Sequence, residues 1–263
     1  MIHRIIALLI RYQNMAIGSF PRLLSIFYWP SVQILFWGYF TNFFAETSVL
    51  ESWNSINIIL SAVVLWDILF RSQLGLSMSF FEELWSRNLP NLFLTPIRDY
   101  EIILGLVLIS TLRTILGLTP AIFFANYFFN FHMFELGFYL IIFFLNLALI
   151  GWSIGLVVSG LVMRYGQSFE ELAWAIIFII LPFSCVYYPL DSLPNAIQTI
   201  AQYFPTTMIF EEMRLIFLKG TFSLNQLINI SIINLIILFL SSVFFLYMLK
   251  IIRKKGIIFN QGE

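Results

Sequence analysis

Long apolar stretches separated by short polar segments dominate the pattern of this chain. A helix needs about 20 mostly apolar residues to cross the hydrocarbon core of a bilayer. Six stretches come close to or exceed that length, and the segments between them are polar or rich in turn-forming residues. The stretches are residues 23–44, 56–79, 101–124, 136–163, 172–188 and 227–249. The pattern predicts an all-α integral membrane protein with six transmembrane helices, forming a single domain over residues 1–263.

Composition supports a lipid environment. Of 263 residues, 60% are hydrophobic and only 11% are charged, whereas about a quarter of the residues in a soluble domain are charged. The net charge is zero, so we expect membrane lipids and no nucleic acid as partners. The single cysteine, Cys185, excludes an internal disulfide and is expected in the core. His3 and His132 are far apart in the sequence, which argues against a histidine-based metal or catalytic site.

The first 20 residues have the pattern of a surface helix. Arg4 and Arg11 are seven positions apart and therefore share one helix face. Ile2, Ile5 and Leu9 lie roughly opposite them. This pattern predicts that residues 1–20 form an amphipathic helix lying on the cytosolic leaflet of the membrane.

The distribution of Lys and Arg predicts the orientation. With six spans both termini lie on one side, and that side carries ten of the fourteen basic residues. The opposite side carries Arg214 and Lys219, and the last two, Arg71 and Arg113, lie within spans. By the positive-inside rule, both termini are expected in the cytosol, including the basic tail of residues 250–263. The ten are Arg4, Arg11, Arg22, Arg87, Arg98, Arg164, Lys250, Arg253, Lys254 and Lys255.

A polar segment, FEELWSRNLPNLFLTPI, follows the second span. Charged and apolar positions alternate in it at helical spacing, which predicts a short amphipathic helix over residues 81–95 at the cytosolic surface. Such a helix between two spans can dock a soluble partner. The charged residues expected to contact that partner are Glu82, Glu83 and Arg87, and the apolar ones expected to anchor the helix are Trp85 and Leu89.

Three charges lie well inside the predicted spans, away from the span ends. Asp67 and Arg71 are four positions apart and can pair along one helix face. Arg113 on the third span is expected at the same height as Asp67, about 18 Å from the cytosolic end at 1.5 Å per residue, and could reach it. Ionisable groups at this depth either line a cavity or pair with each other. The three residues therefore have two interpretations, a polar lining of a transport path or a structural pair that locks two helices.

The long outer segment, residues 189–220, predicts two short helices. Asp191 or Ser192 can cap a helix that begins near Pro194 and stops at Pro205. Thr206 or Thr207 can start a second helix that Gly220 ends, with Glu211 in a capping-box role. These helices are too short to span the bilayer, so they either form a re-entrant lid or an ordinary folded loop. Glu211, Glu212 and Arg214 then require water or mutual pairing.

Other positions indicate how the spans pack and bend. Gly151, Gly155 and Ser159 recur at every fourth residue, a small-residue stripe that lets helices approach closely. Packing within the chain is the simpler use of this stripe, and a dimer seam is the alternative. Pro30 and Pro182 fall inside spans and are expected to distort them.

Taken together, these features resemble the membrane subunit (permease) of the ABC type-2 transporter family, in particular its exporters of drugs or small hydrophobic molecules. The similarity extends over essentially the whole chain. It is carried by FYWPSVQILFWGYF after the Arg-bearing N-terminus, by the polar segment after the second span, by YYPLDSLPNAIQTIAQYFPTT followed by FEEMR, and by the basic tail.

The resemblance implies a coupling helix at residues 81–95 that fits a groove in a separate ATP-binding cassette ATPase. It also implies a permease homodimer around a central path and a location in the bacterial inner membrane. No Gly-Lys pair occurs in the chain, so it has no P-loop. We therefore expect ATP and Mg in the partner ATPase, no cofactor in this chain and no catalysis by it. The alternatives are export of a lipid-linked glycan, an ion-gradient-driven transporter, and a membrane enzyme acting on lipids.

Overall fold

The structure is a computed structural model that describes residues 2–46, 53–131 and 133–255. Over these residues the chain forms helices joined by short turns, and it contains no strand. The all-α prediction is therefore confirmed for the described part of the chain. The helices are α1 Ile2–Ile17, α2 Phe20–Glu46, α3 Trp53–Trp85, α4 Leu89–Leu94, α5 Asp99–Phe129, α6 Phe138–Tyr165, α7 Leu172–Phe183, α8 Asn195–Ala201, α9 Pro205–Lys219 and α10 Leu224–Lys255. His132 and the tail beyond Lys255 lie outside the described residues.

Within the described residues, four helices are long and apolar enough to cross a membrane. They are Asn57–Trp85, Asp99–Phe129, Phe138–Tyr165 and Leu224–Lys254, each with 28 to 31 residues. At 1.5 Å per residue they are about 42–47 Å long. Helix α2 is outside this group, although its 27 residues would also reach across a bilayer.

Helix α7 is shorter than the predicted fifth span. Residues 172–188 were expected to cross the membrane, but the helix ends at Phe183 after 12 residues, about 18 Å. Cys185 then has a φ of 51°, a left-handed conformation that ends the helical path. Pro189 follows, and its preceding residue is biased away from the helical region. The end of this stretch, residues 184–188, is therefore a turn.

Helix α3 is the centre of the bundle, because α2, α5, α6, α7 and α9 all pack against it. The small-residue stripe on α6 makes the closest of these contacts possible. A Cβ atom on Gly151 would lie 2.6 Å from the Leu69 carbonyl oxygen, and one on Gly155 would lie 3.1 Å from the Gln73 carbonyl oxygen. Gly151 and Gly155 therefore serve packing within the chain.

Helix α10 is attached to α6 by amide side chains in an otherwise apolar contact. The Asn234 Nδ2 donates to Asn146 Oδ1 at 2.8 Å, and Asn146 Nδ2 donates to Ser231 Oγ at 3.0 Å. Buried amides favour the one alignment that satisfies them. These hydrogen bonds therefore set the register of α10 on α6.

Both ends of the described chain meet at one end of the bundle. Arg4 of α1 pairs with Glu101 at 2.9 Å, and Arg253 of α10 pairs with Asp99 at 2.7 Å, so both contact the first turn of α5. We call this end the α1 face, and the opposite end, which carries α8 and α9, the α9 face. Several described basic residues lie on the α1 face, in α1, in the turns on either side of α4, and at the ends of α6 and α10; they include Arg11, Arg87, Arg98, Arg164 and Lys254.

Candidate functional site

Helix α1 has one side against the bundle and one apolar side exposed. Leu8 and Tyr12 are buried, and Leu8 packs onto Gly105 of α5, where a Cβ atom would lie 3.1 Å from the Leu8 Cδ1. Ile6 and Ile10 are exposed on the other side. Helix α1 therefore carries apolar side chains both on the side that packs against the bundle and on the exposed side.

The segment predicted as one surface helix is divided in the structure. Helix α3 continues to Trp85, so Glu82 and Glu83 belong to its last turn. The chain then turns at Arg87, whose φ is 53°, and α4 runs from Leu89 to Leu94 with a proline at its start. A proline in the first turn of a helix costs no hydrogen bond, which favours a new helix at this point over a continuous one.

Glu83 joins the end of α3 to α1. It is fully buried, and it accepts two hydrogen bonds from Arg11, at 2.6 Å from Nε and 3.1 Å from Nη2. It also accepts one from Asn88 Nδ2 at 2.7 Å. The prediction that Glu83 contacts a partner is wrong for this conformation, because a buried carboxylate is stable only when its charge is paired within the protein.

Glu82 joins the end of α3 to α5. Its Oε2 lies 3.4 Å from Arg113 Nη2, which also donates to the Tyr12 backbone oxygen at 3.1 Å. The prediction that Arg113 can reach Asp67 is therefore wrong, as is the prediction that Glu82 faces a partner. Helical side chains point toward the N-terminus of their own helix, and that direction takes the Arg113 guanidinium toward the α1 face. Burial, reinforced by Glu83, raises the pKa of the Tyr12 phenol, which stays neutral beside these pairs.

The outer side of this turn is exposed. Trp85 is 42% exposed and Leu94 is 86% exposed, and Arg87 and Asn91 also face outward. We call these four residues the turn surface. The Trp85 Nε1 donates to Glu170 Oε1 at 2.7 Å, which joins the turn to the start of α7. Leu89, predicted as an anchor for a partner, is only 3% exposed and packs inward instead.

The predicted ion pair between Asp67 and Arg71 is present in the middle of α3. Arg71 Nε lies 2.5 Å from Asp67 Oδ2, and Arg71 Nη1 donates to the Ile26 carbonyl oxygen of α2 at 3.0 Å. Pro30 lacks the N–H that would otherwise bond to Ile26 within the helix. The Arg71 guanidinium also packs closely against Gly117 of α5, since a Cβ atom on this glycine would lie 2.9 Å from Arg71 Nη1. Arg71 therefore connects three helices.

On the α9 face, Arg214 holds the turn that follows α7. Its Nη2 donates to the carbonyl oxygens of Cys185, of Val186 at 3.0 Å and of Tyr188 at 2.8 Å. Its Nη1 pairs with Glu211 at 2.7 Å. The expected mutual pairing is therefore present for Arg214 and Glu211, whereas Glu212 accepts the Ser223 N–H at 3.0 Å. Burial lowers the pKa of the Arg214 guanidinium, but arginine remains charged at physiological pH.

The remaining outer residues differ in part from their predicted roles. Pro194 precedes α8, and Asp191 lies in a short 3-10 turn where its Oδ1 accepts a hydrogen bond from Gln198 Nε2 at 3.1 Å. Pro205 is the first residue of α9, so it starts the second helix after α8 has already ended at Ala201. The capping-box role of Glu211 is wrong, because its carboxylate accepts the Leu190 N–H at 2.9 Å.

No protein-family model matches the chain, and no curated protein is significantly similar to it. Within the described residues no group of three His, Cys, Asp or Glu side chains could hold a metal ion.

Proposed function

We propose that this chain is the membrane subunit of an ABC type-2 exporter for a hydrophobic or amphipathic molecule, powered by a separate ATPase. The observation that carries the proposal is the turn surface at the end of α3. It presents an aromatic, a cationic, an amide and an aliphatic side chain outward, while buried ion pairs directly behind it tie α3 to α1 and α5. A push on such a turn moves three helices together, because rigid elements transmit displacement.

The proposal has consequences for topology. The α1 face lies on the cytosolic side of a bacterial inner membrane, because Arg and Lys are concentrated on the cytosolic side of membrane proteins. Helices α2 and α7 complete six membrane-embedded helices, and α8 and α9 lie at the outer end. The exporter contains two copies of the chain, and ATP with Mg is bound by two copies of the ATPase.

In this proposal Arg87 and Trp85 are the main contacts to the ATPase. The sequence had also suggested Glu82 and Glu83 for this role. The coupling role predicted for residues 81–95 is thereby narrowed to the side chains that reach solvent. Glu82 and Glu83 act behind them, as the residues that make the turn rigid. Buried apolar side chains such as Leu89 hold α4 against the bundle.

The exchange Arg87→Glu tests this assignment. Arg87 already has a left-handed backbone, so the exchange reverses the charge at similar backbone strain. We expect ATP hydrolysis by the complex purified from native membranes to fall at least tenfold, because charge reversal at an interface costs several kcal/mol. The permease itself should retain its thermal stability.

The matched control is Lys219→Glu, a charge reversal at the end of α9 on the opposite face. It should leave ATP hydrolysis unchanged. Full activity of the Arg87→Glu complex would overturn the docking assignment. Export into inverted vesicles that persists without ATP would overturn the proposed function as a whole.

A further inference from the structure

One narrow stripe of α3 is open to the outside in the middle of the bundle. Between residues 60 and 83, the side chains with partial exposure are Phe70, Arg71, Leu74 and Met78. Their spacing of three and four residues places them on one helix face. We call this face the α3 stripe.

Two helices flank the α3 stripe. Helix α2 lies on one side, where its Ile26 carbonyl accepts the hydrogen bond from Arg71. Helix α7 lies on the other side, where the Trp174 ring is 5.7 Å from the Phe70 ring. An aromatic contact also joins α2 to the turn after α7, since Trp37 of α2 stacks on Tyr187 at 4.4 Å between ring centroids. The apolar and aromatic side chains around the α3 stripe can therefore pack against the apolar part of a bound molecule.

Asp67 lies one helical turn from Arg71 on the same face, and its side chain is only 5% exposed. Its Oδ2 is bound by Arg71, whereas its Oδ1 is buried without a hydrogen-bond partner. An unsatisfied buried acceptor is costly, so Oδ1 is a site at which a donor from a bound molecule is favourable.

Charge selects the kind of donor. Arg71 has already neutralised Asp67, and its guanidinium is held by Ile26 as well. A cationic group at Oδ1 would lie close to Arg71 and be repelled by it, and burying an unpaired charge is expensive. A neutral hydroxyl or amide satisfies Oδ1 without adding charge.

We infer that Asp67 Oδ1 accepts a hydrogen bond from a neutral hydroxyl or amide of an amphipathic molecule whose apolar part lies along Phe70, Leu74 and Met78. This inference rests on the proposed function, since it describes the class of molecule that the exporter carries. Asp67 then recognises the bound molecule, and Arg71 stabilises the helix packing. Both interpretations drawn from the sequence give the two residues the same role.

Binding of three matched fluorescent probes to the protein in lipid nanodiscs tests the inference. The probes are 12-(NBD-amino)dodecanol, its methyl ether and 12-(NBD-amino)dodecylamine, which share the chain and the fluorophore. We expect the alcohol to bind saturably and about tenfold more tightly than the ether, which lacks the donor. The amine, being protonated, should bind more weakly than the alcohol.

The variant Asp67→Asn sharpens the test because it reverses the hydrogen-bonding character of the site. Arg71 requires an acceptor, so the amide oxygen of the introduced side chain must face it, and the amide NH2 then takes the place of Oδ1. The alcohol can still accept a hydrogen bond, and so can the ether. The alcohol and the ether should therefore bind to Asp67→Asn about equally tightly. A merely structural role for Asp67 would not remove the preference for the alcohol.

The control is Asp99→Asn, which alters an ion pair with Arg253 on the α1 face and should keep the alcohol preference. Equal binding of alcohol and ether by the native protein, tighter binding of the amine, or an unchanged preference in Asp67→Asn would each overturn the inference. The measurement needs neither ATP nor the ATPase. Its failure is therefore distinguishable from a failure of the proposed function, which the Arg87→Glu experiment tests.

Discussion

At the scale of single residues, Glu83 and Arg87 show how two charges four positions apart take opposite roles. Glu83 is enclosed by α1 and the turn, where Arg11 and Asn88 satisfy its carboxylate. Arg87 follows the break in the helix and faces outward. The first stabilises the fold, and the second is available to a partner.

Replacing Glu83 with Gln should destabilise the protein without removing the turn surface. Gln keeps the shape but not the charge, so the two bonds from Arg11 are weakened. Arg11 is partly exposed and can turn to solvent, which limits the loss of unfolding free energy to about 2 kcal/mol. Reversible unfolding in mixed micelles measures it.

Glu171→Gln is the matched control for Glu83→Gln. Glu171 is an exposed acid on the same face, and substitutions at such sites usually change the free energy of unfolding by less than about 0.5 kcal/mol. Equal stability of Glu83→Gln and Glu171→Gln would show that the buried pair does not stabilise the fold.

Local sequence patterns could predict some of these residues and not others. The pairing of Asp67 with Arg71 follows from their spacing on one helix. The burial of Glu82 and Glu83 does not, because a charged pair at the end of an apolar stretch is equally typical of an exposed helix. The positive φ of Arg87 has no signal in the sequence, since only glycine and asparagine commonly mark that conformation.

At the scale of helices, Arg71 of α3 replaces a hydrogen bond that Pro30 removes from α2. The proline leaves the Ile26 carbonyl of α2 without its helical donor, and the arginine of α3 supplies one. Helix α2 is thereby joined to α3 at the position where its own hydrogen bonding is weakest. Both residues are visible in the sequence, but their contact depends on which helices are neighbours.

A double-mutant cycle with Pro30→Ala and Arg71→Gln tests this link. Alanine restores the N–H to Ile26, so the loss of Arg71 should then cost less. We expect a coupling energy of about 1 kcal/mol in the free energy of unfolding. The cost of leaving Asp67 without its cation is common to both backgrounds and cancels.

Pro205→Ala is the control in that cycle, because a proline in the first turn of a helix deprives no carbonyl of its helical partner. It should show no coupling to Arg71→Gln. A coupling energy near zero for Pro30→Ala would mean that the Arg71 bond to α2 contributes nothing measurable.

Helix lengths were predictable where the apolar run was unbroken, as in α6 and α10, which contain the predicted spans 136–163 and 227–249 nearly in full. The span predicted over residues 172–188 is too long because hydropathy does not reveal a change in backbone conformation. The left-handed Cys185 ends the helical path, and Arg214 of α9 donates to backbone carbonyls that have no helical partner in this turn. Contacts of this kind come from the tertiary structure.

At the scale of the whole molecule, each end of the bundle has its own ion pairs, and in each pair at least one partner is buried. Arg11, Glu83, Glu82 and Arg113 fasten the α1 face, and Arg214 with Glu211 fastens the α9 face. Between them lies the well-packed middle of α3, with Leu65 and Leu69 fully buried. Local opening at one end can therefore occur without unfolding the middle, since cooperative units open separately.

Replacing Arg214 with Lys tests whether the two ends open independently. Lysine keeps the charge near Glu211, but a single ammonium group cannot replace the planar fork that reaches the Val186 and Tyr188 carbonyls. We expect faster amide hydrogen exchange in residues 184–192, by about tenfold or more, and unchanged exchange in residues 86–98. Glu83→Gln should produce the reverse pattern. Faster exchange at both ends in either variant would instead show that α3 couples them in the absence of a partner.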